Sequence, residues 1–301
     1  MSLLLRVLAG VVGLLPWRAL RPLGAALGWL VGGVMRVRRR HVASSMRAAG
    51  IGAPPDAMYR SLGASAFEFL WMARRGGEAL AHVRIDGASE APWREALGRG
   101  RGVVIAATHT GNWDLAACAI ARETELLVVT KRLSVQPLDT FWQSTRARLG
   151  VRLVDAPGAM ARAREVLRRG GAVAMMIDQA PAPPRAPARA VEAEFLGRTA
   201  LVDRAPAALA AATGAPLVVA ASRRDASGEH VLCVLDVLYP PPRGGSWVVE
   251  ASRRATAALE TFVRAHPSQW LWLHRRWKRA MLPPPCRTTA SSSQAEASRA
   301  A

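Results

Sequence analysis

Between residues 102 and 238, short apolar runs alternate with amphipathic stretches, and this alternation constrains the fold more than any other feature of the chain. The runs cover 102 to 107, 126 to 130, 151 to 154, 171 to 177, 217 to 221 and 231 to 238; helical patterns fill 113 to 123, 138 to 149, 158 to 169 and 201 to 213. Successive parallel strands need a crossover of a dozen or so residues, which a helix supplies. The pattern therefore predicts an α/β sandwich with a largely parallel sheet. Further helices are expected over 56 to 75, 89 to 99 and 248 to 265. The proline-rich stretch Ala180 to Ala190 reads as a loop, and the Ser/Ala-rich tail, residues 286 to 301, as disordered.

The N-terminus differs in kind. Leu3 to Leu15 and Leu23 to Met35 are apolar runs separated by Pro16, Arg18, Arg21 and Pro22. Each is shorter than the about 20 residues of a spanning helix. Together they predict an interfacial helical hairpin or one imperfect span, with two ordinary buried helices as the alternative. Arg36, Arg38, Arg39 and Arg40 follow at once, which by the positive-inside rule keeps the remainder in the cytoplasm. Residues 1 to 36 are thus read as a membrane anchor and residues 37 to 285 as the main domain.

The chemistry is expected at Thr108-His109-Thr110-Gly111-Asn112-Trp113-Asp114, between the run 102 to 107 and the helix that follows. Strand-to-helix turns carry the chemistry of many α/β folds. On a continuous helix His109 and Asp114 would lie roughly 140° apart at about 100° per residue, so they meet only if the turn is not helical. Gly111 supplies that freedom and Asn112 is a good N-cap. The carboxylate of Asp114 can then accept from one imidazole nitrogen while the other acts as a general base. A His-x4-Asp spacing also arises by chance, and an acidic residue in a first helical turn is favoured whatever the protein does.

Charge and cysteine content restrict the partners. The chain has 41 basic and 22 acidic residues, a formal charge of +19, and its first carboxylate is Asp56. Such a surface attracts polyanions, whether nucleic acid or anionic lipid. No helix-turn-helix, zinc-finger or aromatic RNA-binding pattern accompanies it, so a nucleic-acid-binding protein, or a basic membrane scaffold, is the competing reading and nucleic acid is not the expected partner. Cys118, Cys233 and Cys286 are odd in number and lack metal-ligand spacing, so neither a disulfide framework nor a bound metal is expected. Gly-x-Ser-x-Gly, Walker A and HExxH patterns are absent.

The block from His109 to Asp114 resembles the HX4D/E motif of glycerolipid-type acyltransferases. Other segments resemble the late acyltransferases of lipid A biosynthesis within that superfamily: Arg38-Arg39-Arg40, Arg146 with Gly150, Asp178-Gln179, Phe195-Leu196-Gly197, Thr213-Gly214-Ala215-Pro216, and above all Pro267-Ser268-Gln269-Trp270-Leu271-Trp272-Leu273-His274-Arg275-Arg276-Trp277-Lys278. The resemblance implies a glycerolipid acyltransferase-like α/β sandwich with apolar membrane-anchoring helices at its N-terminus, on the cytoplasmic face of a bacterial inner membrane. It implies transfer of a fatty acyl group from acyl carrier protein to a hydroxyl of a lipid A precursor or related membrane glycolipid, with no cofactor beyond the carrier thioester. His109 would deprotonate the acceptor, Asp114 would orient His109, and no acyl-enzyme would form. Asn112, Arg146, Asp178, Gln179, Arg275 and Arg276 carry over as substrate-contacting residues. The bland alternative for Arg275, Arg276 and their tryptophan neighbours is a basic, amphipathic tail resting on anionic lipid. A lysophospholipid acyltransferase is the rival enzyme, although the Phe-Pro-Glu-Gly-Thr-Arg block usual in that class is not found.

Overall fold

The computed structural model describes residues 2–181, 190–242 and 246–277. Four helices come first: α1 (Ser2–Val12), α2 (Trp17–Trp29), which unwinds into a π turn over Leu30–Val34, α3 (Arg39–Ala48) and α4 (Pro55–Arg75). The α/β part follows as β1 (Val83–Ile85), α5 (Gly87–Gly98), β2 (Val103–Ala107), α6 (Trp113–Glu123), β3 (Leu126–Thr130), α7 (Gln136–Arg148), β4 (Val151–Asp155), α8 (Ala159–Arg168) and β5 (Ala172–Met176). A hairpin of β6 (Ala190–Phe195) and β7 (Arg198–Asp203) precedes α9 (Ala205–Thr213), β8 (Leu217–Arg224), β9 (His230–Leu238) and α10 (Trp247–Ala265).

Seven strands form one sheet in the order β1-β9-β8-β2-β5-β3-β4. Every neighbouring pair is parallel except β8–β9, so the sheet is mixed, with a parallel centre. The exception has a local cause. Only Asp225 to Glu229 join β8 to β9, too few for a crossover helix, and Asp225 closes the turn by accepting from Ser227 Oγ and the Glu229 amide. The expectation of a largely parallel α/β sheet is met.

Several elements differ from the sequence reading: α3 lies where no helix was placed, and β8 runs on to Arg224 beyond 217 to 221. The strand Val83–Ile85 was not anticipated, being three residues on the sheet edge. Residues 201 to 203, read as helix, belong to β7; the helix begins at Ala205 because Pro206 fits only its first turn. Ala190, placed in the proline-rich loop, opens β6, whose turn at Leu196 (φ 55°) and Gly197 (φ 73°) is the paired left-handed geometry of a two-residue hairpin. Residues 182–189 of that loop, the tail after residue 285 and Lys278 lie outside the described residues.

Side chains alternate across the sheet and build two cores. Val104, Ala106, Val173 and Val219 face α8, α9 and α10, whereas Val103, Ile105, Ala172 and Val218 face α5, α6, α7 and the N-terminal helices. Ala9, Val12 and Leu20 belong to the second core, so the N-terminal helices share it with the sheet. α2 crosses α4 so closely that a Cβ on Gly28 would strike the Tyr59 carbonyl, and one on Gly63 the Gly24 carbonyl. The other faces of these helices are bare: Leu3, Leu4, Val7, Val11, Leu14, Trp29, Val34 and Met35 are exposed. Among the described residues no helix is long and apolar enough to cross a membrane.

Candidate active site

β2 and β5 are central neighbours in parallel register, with Ala107 opposite Met176. His109 and Asp178 each lie two residues past that last pair, so the sheet delivers both to the same point beyond its carboxyl edge. There Asp178 Oδ1 is 2.8 Å from His109 Nδ1, and Oδ2 accepts from the His109 amide (2.9 Å), Thr108 Oγ1 (3.0 Å) and Trp270 Nε1 (2.8 Å). Burial opposes ionisation of Asp178, but the facing imidazole and these donors outweigh it and hold the carboxyl far below its ordinary value. For His109 burial likewise disfavours charge, yet Asp178, with a smaller contribution from Asp114, raises the imidazole above 6.5. Its side chain is 18% exposed. No described residue hydrogen-bonds Nε2, the nitrogen left for chemistry.

Asp114 stands elsewhere than its spacing suggested. Its carboxylate accepts from Trp142 Nε1 at 3.0 Å and lies 3.5 Å from Arg146 Nε; burial pushes its acidity down, raising its pKa, and Arg146 only partly opposes this. The imidazole hydrogen bond expected from Asp114 is made by Asp178, at Nδ1. A local pattern cannot reveal this, because the partner is 69 residues away and arrives through strand pairing. The usable signal was the position of both residues at the carboxyl ends of buried strands.

The turn itself is clamped on several sides. Gly111 has φ 59°, and a Cβ there would sit 2.7 Å from the Ser222 carbonyl oxygen. Asn112 caps α6 by accepting from the Leu115 amide at 3.2 Å, while its amide group donates to Glu68 Oε2 at 3.0 Å. Glu68 also receives both Arg224 Nε (2.8 Å) and Arg224 Nη2 (2.7 Å) and lies 3.0 Å from His230 Nε2. Burial opposes this charge, but His230 and Arg224 bring the Glu68 carboxyl down to about 2. Sequence reasoning missed this Glu68–Arg224–His230 group, in which Glu68 of α4 meets Arg224 and His230, facing partners on β8 and β9. The tail closes the turn from the other side. The Gly111 amide donates to the Gln269 carbonyl, the Leu271 amide to the His109 carbonyl, and Thr110 bridges Trp270.

The terminal string is therefore internal. Trp270 and Trp272 are buried, contrary to a role for them on a lipid-facing tail. Arg276 is buried too: Nη1 donates to the Leu201 carbonyl at 2.6 Å, its guanidinium stands over Phe195, and burial lowers its pKa to about 10. Arg275 alone of this pair is exposed. Gln179 approaches His109 Nδ1 at 3.5 Å. Arg38 donates to the Leu273 carbonyl, and Arg39 pairs with Asp56, so two of the early arginines are engaged within the fold.

An apolar cavity opens beside the turn. It holds roughly 860 Å³ of empty space, mouth included, and runs between the sheet and helices α5 and α6 past Trp93, Ile105, Ala117 and Ile120. Thr108, Trp113, Asp114 and Arg146 supply its polar end. Cys118 is fully buried and burial pushes its thiol up to about 12, which makes it inert as a nucleophile. The arrangement thus offers a buried-carboxylate/imidazole base, an apolar slot and no thiolate.

The chain is similar to the phosphatidylinositol mannoside acyltransferase of Mycobacterium tuberculosis, 28% identical over 188 residues covering 60% of this chain and 56% of that protein. It is also similar to the enzyme of that name from Mycolicibacterium smegmatis, 27% identical over 209 residues covering 67% of this chain and 64% of the relative. The chain thus matches somewhat over half the length of these relatives. The bacterial lipid A biosynthesis acyltransferase model matches residues 2–279, and the chain belongs to that family.

Proposed function

We propose that the protein transfers a fatty acyl group from acyl carrier protein to a hydroxyl of a membrane glycolipid, a lipid A precursor being the family's acceptor class, at the cytoplasmic face of the inner membrane. The observation that carries the reading is the His109–Asp178 pair at the polar end of an apolar cavity. The acceptor hydroxyl gives its proton to His109 Nε2 while Asp178 holds Nδ1 and stabilises the imidazolium. The oxygen attacks the thioester carbonyl, the carrier thiolate leaves, and the imidazolium returns the proton to sulfur. The acyl chain occupies the apolar cavity. Arg146, at that cavity's polar end, stabilises the oxyanion, and Asp114 fixes Arg146. Arg275, Gln179 and the end of α6 contact the acceptor, whereas the burial of Arg276 suits it to supporting Phe195 and Leu201. The relatives' names, both referring to acylation of a mannosylated glycolipid, support a sugar hydroxyl as acceptor.

The test is acylation by purified protein with acyl carrier protein or coenzyme A thioesters, offered a lipid A precursor, a mannosylated phosphatidylinositol or a lysophospholipid, with products weighed by mass spectrometry. Acylation of a glycolipid that is lost in His109→Ala supports the reading. Wild-type turnover by folded His109→Ala removes the mechanism, and acylation of the lysophospholipid alone transfers the protein to the rival class.

A further inference from the structure

A second cavity lies on the same face of the sheet, between α1, the end of α4 and the end of α7. It holds roughly 810 Å³ of empty space, open solvent included, and is lined by Arg6, Arg74, Arg148, Phe141 and Ser144 among others. Three guanidinium groups from three helices share it, and among the described residues none of the three pairs with a carboxylate. Neighbouring Arg75 is, by contrast, engaged by Glu78 and the Gly13 carbonyl. Two of the three are held in place: Arg148 donates to the Ala73 carbonyl at 2.9 Å, and the Cβ and Cγ of Arg74 pack so tightly on α1's end that Gly13 has no room for a Cβ. Convergent, unneutralised arginines suit a phosphate, whose oxygens accept paired guanidinium hydrogen bonds. The setting points to a lipid as its source. Arg6 is flanked along α1 by exposed Leu3, Leu4, Val7 and Val11, and a helix lying in the interface with such a face immersed holds its polar side at headgroup depth.

We propose that Arg6, Arg74 and Arg148 form a binding site for the phosphate headgroup of an anionic membrane lipid, separate from the His109 site. It does not rest on the acyltransfer reading, because its readout is membrane partition. The full chain is mixed with phosphatidylcholine vesicles with or without phosphatidylglycerol, and bound protein is measured by sedimentation. The variant is Arg6→Gln/Arg74→Gln/Arg148→Gln, since Gln keeps the Cβ and Cγ that pack on Gly13. The control, Arg162→Gln/Arg164→Gln/Arg168→Gln, removes the same charge from exposed positions on α8, across the sheet. The site variant should lose at least about tenfold of its preference for the anionic vesicles while the control keeps it, each cation near such a surface being a substantial contributor. Equal loss in both, or loss in neither, overturns the proposal. Titration with inorganic phosphate alone separates the sources. Saturable binding that the site variant loses, with vesicle partition unchanged, assigns the pocket to a soluble phosphate and overturns the lipid assignment.

Discussion

At the level of single residues, the carboxylate that governs the candidate base is Asp178. Removing His109 (His109→Ala) or neutralising Asp178 (Asp178→Asn) should lower acyl transfer by at least about 10²-fold, the lower end for general-base catalysis. The pH profile distinguishes the roles. The base must be unprotonated, so wild-type kcat/KM falls as pH drops through the raised His109 pKa, above 6.5; in Asp178→Asn the largest raising influence is gone and this limb moves to lower pH. Glu68 is shifted in the opposite direction, and its consequence is for stability. Its carboxyl ionises near 2 in the folded chain against 4.5 ordinarily, so its contribution to stability is complete above 4.5 and fades as pH falls towards 2. Urea midpoints measured across that range should fall with pH in the wild type and flatten in Glu68→Gln, which should also lose about 3–5 kcal/mol at neutral pH by leaving Arg224 and His230 uncompensated. His109 and the turn around it were legible in the sequence because they are contiguous. Glu68, Arg224 and His230 were not, since each has an ordinary surface residue's local context and only the fold buries it.

Among the elements, legibility followed burial and length. The central strands β2, β3 and β5 are unbroken apolar runs bounded by turns, and the sequence places each within a residue or so of its observed limits. In the β6–β7 hairpin the strand signal is present, exposed Glu192 and Glu194 alternating with buried Val191, Ala193 and Phe195, but it is short and runs into an alanine-rich helical pattern that masks Leu201 and Val202 as strand. The tryptophans of the terminal string have interfacial composition, yet they insert beneath the His109 turn; composition ranks partners but does not say which side of a surface faces them. Gly111→Ala tests how tightly this turn is held. The new methyl meets the Ser222 carbonyl in a left-handed backbone, at a cost of about 1–3 kcal/mol, and activity should fall with stability because His109 rides on the same turn. Thermal melting and turnover of the purified variant check both. Trp270→Ala should cost about 3–5 kcal/mol as a core truncation and leave vesicle binding unchanged; weaker vesicle binding without loss of stability would restore its lipid role.

Across the whole molecule, the N-terminal helices do two jobs with two faces. Their inner residues complete the core beneath the sheet, while the outer leucines and valines are bare. Deleting residues 1 to 35 should therefore lower the melting temperature and expose dye-binding apolar surface, rather than simply freeing an intact enzyme from membranes. An unchanged melt would mean that Ala9, Val12 and Leu20 contribute nothing to the core. The other end of the chain is equally committed. Gln269, Trp270 and Leu271 supply hydrogen bonds that close the His109 turn, and they leave a ribosome long after α1 and α2. The helices carrying the bare apolar face precede them. The order of synthesis thus separates two events that the proposed function would need in this sequence: a nascent chain presents its bare apolar helices long before the residues that seat His109 are made, so contact with a lipid surface can precede completion of the proposed reactive centre.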